Sequence, residues 1–272
     1  MHIDLHTHTN VSDGKLSPAD LIDRANSRGV EILSITDHDT TLAYEQLDLS
    51  STMPRLIPGI ELSTSWNKTG IHVVGLNINL NSNAMAEAGK FQQLARIARA
   101  EEIAEKLEKQ GIRDALEGAS RIAGNNNIGR PHFAQHIVNT GAADSITEAF
   151  KKYLGSGKSG DIKKYWAPLT QIICWIRDAG GIAILAHPLK YKLSRTRLVA
   201  LVDDFIADGG EGIEVVSGKQ LPADTQQLAK ICNQKNLLAS CGSDFHEPDQ
   251  TWAELGGFSP VPKNCTPVWE RF

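Results

Sequence analysis

The sequence predicts an α/β fold with a helical insertion, and three patterns predict it. Strand-like and helix-like segments alternate over residues 3–80 and again over 166–241. Polar clusters rich in histidine and acid follow the strand-like segments directly. Between the two alternating stretches, residues 81–165 carry helical patterns alone. The chain has 272 residues, 41% of them apolar, which suffices for one large domain with an insertion. The boundaries that follow are 1–80 and 166–272 for the main domain and 81–165 for the insertion.

The first strand is set by Ile3 and Leu5, which alternate with polar neighbours. His6 and His8 follow, two apart and so on one face of extended backbone. Asp13 stands on a turn marked by Ser12 and Gly14. Ser17-Pro18 starts a helix with an N-cap and a proline at its first position, Leu21, Ile22 and Ala25 form its apolar face, and Gly29 ends it. Val30 to Thr36 is a buried strand delivering Asp37-His38-Asp39. A short helix over Leu42 to Leu49 leads to a third strand, Leu56 to Leu62, interrupted by Pro58-Gly59 and carrying Glu61. Gly70 to Leu80 alternates strictly and carries His72.

The insertion opens with a long amphipathic helix, Ala84 to Gln110, ended by Gly111. Helical segments follow near 114–123, 132–140 and 145–153, then a flexible glycine-rich loop over 155–160, basic on one side through Lys151, Lys152, Lys158, Lys163 and Lys164. This region reads as a cap over the mouth of the main domain. The α/β rhythm resumes with a helix over 169–179, a strand over 181–186 ending at His187-Pro188, a helix over 195–208, a strand over 212–216 with Glu214, a helix over 225–235 and a strand over 237–241. That last strand ends in Gly242-Ser243-Asp244-Phe245-His246. The tail from Trp252 is rich in proline and glycine and reads as irregular.

A net charge of −4 excludes a polycationic nucleic-acid coat. No run approaches the ~18 apolar residues of a membrane span, and the N-terminus has no secretory pattern. Cys174, Cys232, Cys241 and Cys265 form no CxxC pair and read as reduced thiols. A cytoplasmic protein without a membrane or an obligate protein partner is the expectation.

Each polar residue has an ordinary reading. His72 suits a satisfied core histidine, Glu61 a surface strand, Asp37 a helix cap, and the His6/His8 pair surface chemistry. What outweighs these readings is recurrence: His6/His8, Asp37/His38, Glu61, His187 and Asp244/His246 all stand at predicted strand ends. In a barrel of parallel strands those ends meet at one mouth. So many imidazoles and carboxylates in one place need positive charge to hold them together.

The motifs HxH…D, TDH, GIE, HVVG, AHP and GSDFH, in this order, resemble the polymerase-and-histidinol-phosphatase (PHP) phosphoesterases from residue 1 to about 247. The resemblance implies a distorted (β/α)7 TIM-like barrel and two or three divalent metal ions. By motif, His6, His8, Glu61 and Asp244 would hold one ion, and Glu61 would bridge to a second held by His72 and His187. Asp13, His38 and His246 would hold the third. Mixed nitrogen and oxygen ligands suit manganese first, then iron or zinc, over magnesium or calcium.

GRPHFA adds Arg130, which can fork onto phosphate oxygens, and His132, which can contact phosphate or protonate a leaving oxygen. The ordinary reading of Arg130 is a structural cap or pair. GRPHFA, AGGIAILAHP and GGEGIEVVSG also resemble one PHP branch, the nucleoside 3′,5′-bisphosphate phosphatases and 5′→3′ exoribonucleases (ribonuclease AM-like). The loop GSGKSGDIKKYW departs from that branch. The resemblance implies 3′-phosphate removal from bisphosphates, extending to short 5′-phosphorylated RNA. The alternatives are a histidinol-phosphate-type phosphatase on a small metabolite, a non-catalytic metal-stabilised module and an amidohydrolase on C–N bonds.

Overall fold

A computed structural model describes residues 2–47, 54–124 and 127–272. Two units emerge, one of Met1–Gly89 with Ala167–Phe272 and one of Lys90–Trp166.

In the first unit, strand β1 (Ile3–Thr7) is buried along its whole length. Helix α1 (Pro18–Ser27) starts where Ser17 Oγ accepts from the Asp20 amide, and it buries Leu21 and Ala25. Strand β2 (Ile32–Ile35) pairs in parallel with β1 and with the short β3 (Arg55–Leu56). Between β2 and β3 the expected helix is a single 3-10 turn, Leu42–Gln46; the end of that expectation, residues 48–49, lies outside the described residues. Its Tyr44 is buried and fixes the chain around it. The hydroxyl accepts from the amides of Ile35 (3.1 Å) and Gly59 (2.8 Å) and lies 2.7 Å from the Ile35 carbonyl.

The expected third strand is two. Pro58 has no N–H to give a ladder, so β3 stops and β4 (Gly59–Trp66) begins in another sheet. A tight turn at Asn67-Lys68, both with positive φ (44° and 65°), sends the chain back as β5 (Thr69–Leu76). This is the backbone a two-residue hairpin needs. Strand β5 is therefore antiparallel to β4, with Ser63 opposite His72.

Helix α2 (Asn83–Glu108) leads into the second unit. There, α3 (Ala115–Ala123), α4 (Arg130–Asn139) and α5 (Ile146–Ala149) follow. The predicted helix over 145–153 breaks at α5 and continues as one π turn, Phe150–Leu154. Ile103, Leu107, Phe133, Ile137 and Leu154 form the core of this unit.

Back in the first unit come α6 (Leu169–Asp178), β6 (Ile182–Leu185), α7 (Arg195–Ala207), β7 (Gly212–Ser217), α8 (Pro222–Gln234) and β8 (Leu238–Gly242). The tail is irregular apart from a 3-10 turn at Val268–Arg271. Strand β6 is antiparallel to β5, and β6, β7 and β8 are mutually parallel.

The strands form two open sheets, β1-β2-β3 and β4-β5-β6-β7-β8. An all-parallel barrel is thus not what the ladders show: β5 runs against its neighbours, and neither sheet is closed. The sheets meet at two seams of isolated pairing. At one, Thr7 bridges Phe245, His8 N–H donates to Phe245 O (2.9 Å) and Asp244 N–H to His6 O (2.8 Å). At the other, His38 bridges Glu61, and Asp39 N–H donates to Glu61 O (2.9 Å). A glycine stands at each seam. A Cβ on Gly242 would lie 2.3 Å from His6 Cβ, and one on Gly59 would lie 2.3 Å from Ser34 Oγ. No side chain larger than hydrogen fits such an approach.

Candidate metal centre

Residues beside the two seams supply the site. His6 lies within β1, and His8 follows it. Glu61 is the third residue of β4, not its end, and is fully buried. His187 and Asp244 each come two residues after a strand, with φ of 24° and 55°. Positive φ in residues other than glycine is costly and clusters at functional sites. His72 arrives from the opposite direction. Because β5 is antiparallel, its beginning lies beside the later part of β4, which brings His72 to Glu61.

Glu61 is the hub. Its Oε1 lies 2.9 Å from His72 Nδ1, 2.9 Å from His187 Nε2 and 3.3 Å from His6 Nε2. Its Oε2 lies 2.9 Å from His38 Nδ1 and 3.3 Å from His8 Nε2. Asp244 Oδ1 faces both His6 Nε2 (3.5 Å) and His8 Nε2 (3.3 Å), while its Oδ2 takes the Lys190 ammonium. Asp13 gathers His246 Nε2 at 3.3 Å and shares two histidines with Glu61, His38 Nε2 at 3.7 Å and His8 Nδ1 at 3.9 Å. Three overlapping groups can each hold a cation: His6/His8/Glu61, His38/Glu61/His72, and His8/Asp13/His38/His246. The nine residues singled out by motif are thus gathered around Glu61, Asp13 and Asp244. The second grouping pairs His38 with Glu61 and His72, where the motif pattern put His187.

The donor set fits metal ions. His6 Nε2 and His8 Nε2 face each other at 3.1 Å, and one proton at most can lie between them. His8 Nδ1 and His187 Nδ1 are buried without a hydrogen-bond partner, and Glu61 Oε2 and His38 Nδ1, though 2.9 Å apart, are not aligned for a hydrogen bond with each other. The charges agree. Burial would push the Glu61 carboxyl up, but His38, His6 and His72 outweigh it and hold it well below the usual carboxylate range. Asp244 is likewise held low, against burial, by Lys190 and His6. Burial pushes His38 and His187 down, towards the neutral form that ligates. Burial would also lower His8, but Asp244 and Glu61 drive it up to about 10. The pocket calls for positive charge, which a divalent cation supplies without protonating the ligands.

Sequence reasoning missed the supports of this cluster. Glu214, buried on β7, accepts from His187 N–H at 2.5 Å and pairs with His6 Nδ1 at 2.6 Å. It thereby aims His6 Nε2 at Glu61 and holds the strained bend at His187. A lone acid inside the apolar run GIEVVS was the available signal. Asp37 caps no helix. It is buried and accepts from Thr9 N–H (2.7 Å), Thr9 Oγ (2.6 Å) and Ser12 Oγ (2.6 Å), shaping the loop that carries Asp13. Tyr191 Oη donates to Ala186 O (2.7 Å) and accepts from His72 N–H (3.0 Å). Asp4 holds the amides of Ser243 (2.8 Å) and Gly256 (3.0 Å).

Arg130 and His132 lie in the second unit. Arg130 donates to Leu154 O (3.3 Å), pairs with Asp161 (3.6 Å) and stacks over Phe150. His132 Nδ1 accepts from Gly129 N–H (2.9 Å), closing the start of α4. Two arginines that the sequence reading passed over, Arg96 and Arg99, stack on Trp166 in the same unit. The four cysteines are free, and only Cys174 is exposed. Among the described residues no helix is long and apolar enough to cross a membrane.

An α/β domain that buries overlapping histidine–carboxylate groups, each able to hold a cation, is an arrangement that metal-dependent hydrolases use. The chain belongs to the PHP domain family, whose model matches residues 4–154. It is 44% identical over 271 residues to the 5′-3′ exoribonuclease Rnm of Escherichia coli, covering 98% of this chain and 92% of the relative. It is 39% identical over 274 residues to the 3′,5′-nucleoside bisphosphate phosphatase of Chromobacterium violaceum, covering 99% and 96%. Among solved structures, an amidohydrolase from Chromobacterium violaceum with bound sulfate and no metal superposes with a TM-score of 0.90 at 38% identity, covering 100% of this chain and 95% of that one.

Proposed function

We propose that this chain is a metal-dependent phosphoesterase that removes the 3′-phosphate of nucleoside 3′,5′-bisphosphates and hydrolyses short 5′-phosphorylated RNA from its 5′ end. The observation that carries this reading is the Glu61 hub, where one buried carboxylate faces five imidazoles within 3.3 Å. The two relatives that align over almost the whole chain are named for these two activities. Both act on phosphate esters, which favours this reading over C–N hydrolysis.

His6, His8, Asp13, His38, Glu61, His72, His187, Asp244 and His246 are the proposed ligands of two or three ions, with manganese, then iron or zinc, favoured by the mixed donors. Bound there, such ions supply positive charge for a phosphate and lower the pKa of water. Glu61 and Asp244 stay ionised and orient the site, while Glu214 fixes the His6 ring. Lys190 neutralises the outer oxygen of Asp244. Arg130 and His132 are the proposed contacts to substrate phosphate. The two seams also support a distorted (β/α)7 barrel as the description of the first unit, and 81–165 is the proposed helical insertion.

The test is a rate comparison with manganese present. Phosphate release from a nucleoside 3′,5′-bisphosphate should exceed that from a 3′- or 5′-monophosphate by about ten- to hundredfold, the worth of one charge-assisted contact to the second phosphate. Equal rates, or faster hydrolysis of histidinol phosphate, would replace this reading with the small-metabolite phosphatase.

A further inference from the structure

A cavity of about 520 Å³ opens beside the cluster, and the proposed activity makes no use of it. Two of its lining residues belong to the centre's edge: His187, whose Nε2 meets Glu61, and Lys190, whose ammonium meets Asp244. Its other lining residues include Pro188, Leu189, Lys219 and Leu221, of which Lys219 and Leu221 are exposed. We propose that it is the subsite for the nucleoside on the downstream side of the scissile phosphate in RNA, a group that a bisphosphate lacks.

The volume lies within the ordinary range for small-ligand sites, about 300–1,000 Å³. The lining joins apolar surface for a base to Lys219 for the phosphate that follows it; Lys190 is held by Asp244, and Asp224 and Ser217 also line the cavity. The rim is built in advance. Gly218 N–H donates to Gly242 O (2.8 Å) and Lys219 N–H to Trp252 O (2.7 Å). The Gln220 amide accepts from Ser217 N–H (3.3 Å) and donates to Val215 O (2.7 Å) and Thr225 Oγ1 (2.9 Å). A preformed rim spares the entropy of ordering a loop around the ligand.

The downstream assignment follows from the exposed part of the lining. A terminal nucleotide can be enclosed, but the downstream chain must leave. Leu221 is 69% exposed and Lys219 is exposed, so the rim offers that exit. In hydrolysis, water adds its oxygen to phosphorus and the bond from phosphorus to the 3′ oxygen breaks. The 3′ oxygen takes a proton and departs with the upstream nucleotide. The phosphate stays on the 5′ oxygen of the nucleoside in the cavity. Occupying the cavity thus holds the scissile phosphate in place while the first nucleotide leaves.

This inference rests on the phosphoesterase reading above, and the experiment separates the two. The manganese-loaded full chain and its Lys219→Glu/Leu221→Ala variant are assayed on a nucleoside 3′,5′-bisphosphate and, for release of the first nucleotide, on a 5′-phosphorylated trinucleotide, whose downstream nucleoside carries a further 3′ phosphate. Both positions are exposed at the rim, so folding is unaffected, and matching thermal transitions check this. The variant should lose about tenfold or more in kcat/KM on the trinucleotide, from one apolar contact and one reversed charge against the phosphate beyond the downstream nucleoside. Its rate on the bisphosphate should stay within about twofold of wild type, since that substrate makes neither contact. Equal losses on both substrates would put the cavity under the upstream nucleoside, and no loss on either would leave it unused; both results overturn the proposal. Failure of the wild-type enzyme on the bisphosphate would instead remove the reading beneath it.

Discussion

Replacing Glu214 with glutamine tests whether the centre depends on a residue that touches no substrate. Glu214 is buried and its two oxygens serve two partners, His6 Nδ1 at 2.6 Å and His187 N–H at 2.5 Å. Glutamine has nearly the same shape but one acceptor only. Its amide N–H₂ must face one of the two donors, so either the His6 ring loses its orienting partner or the His187 bend loses its tie. Each lost bond is a charge-assisted one, worth about 1.5–3 kcal/mol. Part of that stabilises the fold, and part holds two imidazoles in ligating position. Loss of such an outer partner weakens metal affinity by about ten- to hundredfold. The assay is activity against free manganese in a metal buffer, with bound metal measured after dialysis. Glu214→Gln should shift the manganese midpoint upward by that factor, and high manganese should restore most of the rate. A separate signature distinguishes this from general damage: the variant should differ less from wild type as metal rises, whereas a misfolded protein stays inactive at any concentration. A wild-type midpoint with wild-type bound metal would refute the orienting role.

Tyr44→Phe leaves the Ile35 and Gly59 amides without their buried acceptor. It should cost about 1–3 kcal/mol of stability, read by urea unfolding, with activity per folded molecule retained. Gly242→Ala puts a methyl group against His6 Cβ, so both thermal stability and bound metal should fall together; a variant stable and metal-replete would show that the seam can open without harm. Arg130→Ala should lower kcat/KM on the bisphosphate by about ten- to hundredfold with metal content unchanged, and unchanged kinetics would leave Arg130 to its pairing with Asp161.

Much of this was legible in the chain itself. The α/β rhythm is set by apolar alternation and by caps such as Ser17, and these act locally. The histidine and acid clusters were legible because charge and imidazole after a buried strand have few ordinary explanations. What was not legible depends on contacts between distant segments. The Asn67-Lys68 turn lacks the glycine that usually marks a two-residue hairpin. The reversal of β5 was therefore hidden, and with it the route by which His72 reaches Glu61. Glu214 sits in the quoted segment GGEGIEVVSG, but nothing in that segment assigns it a role, since its partners are 208 and 27 residues away. The lysines near the glycine-rich loop read as a basic stretch, yet Lys163 pairs with Asp161 and Lys164 with Glu102. Pairing of that kind is invisible without the folded chain.

The seams and the metal centre are one feature, and metal removal should reveal it. His6, His8, Asp244 and His246 flank the seam between β1 and β8, and His38 and Glu61 form the bridge of the other. Forming both seams forces Glu61, Asp244 and Asp13 into one buried pocket. Buried like charges oppose that closure unless a cation joins them. Ions that bind only the folded state add RT ln(1 + [L]/Kd), about 2.7 kcal/mol at a hundredfold excess over Kd. For a chain of this size that is a rise in Tm of several degrees. Chelation should therefore lower Tm by that amount, and manganese should restore it. Hydrogen exchange should locate the loss, with amides of 3–14 and 238–246 losing protection before those of α6 or α8. If chelated protein keeps its Tm and its seam protection, the sheets close by packing alone, and the cluster is a passenger on a fold that does not need it.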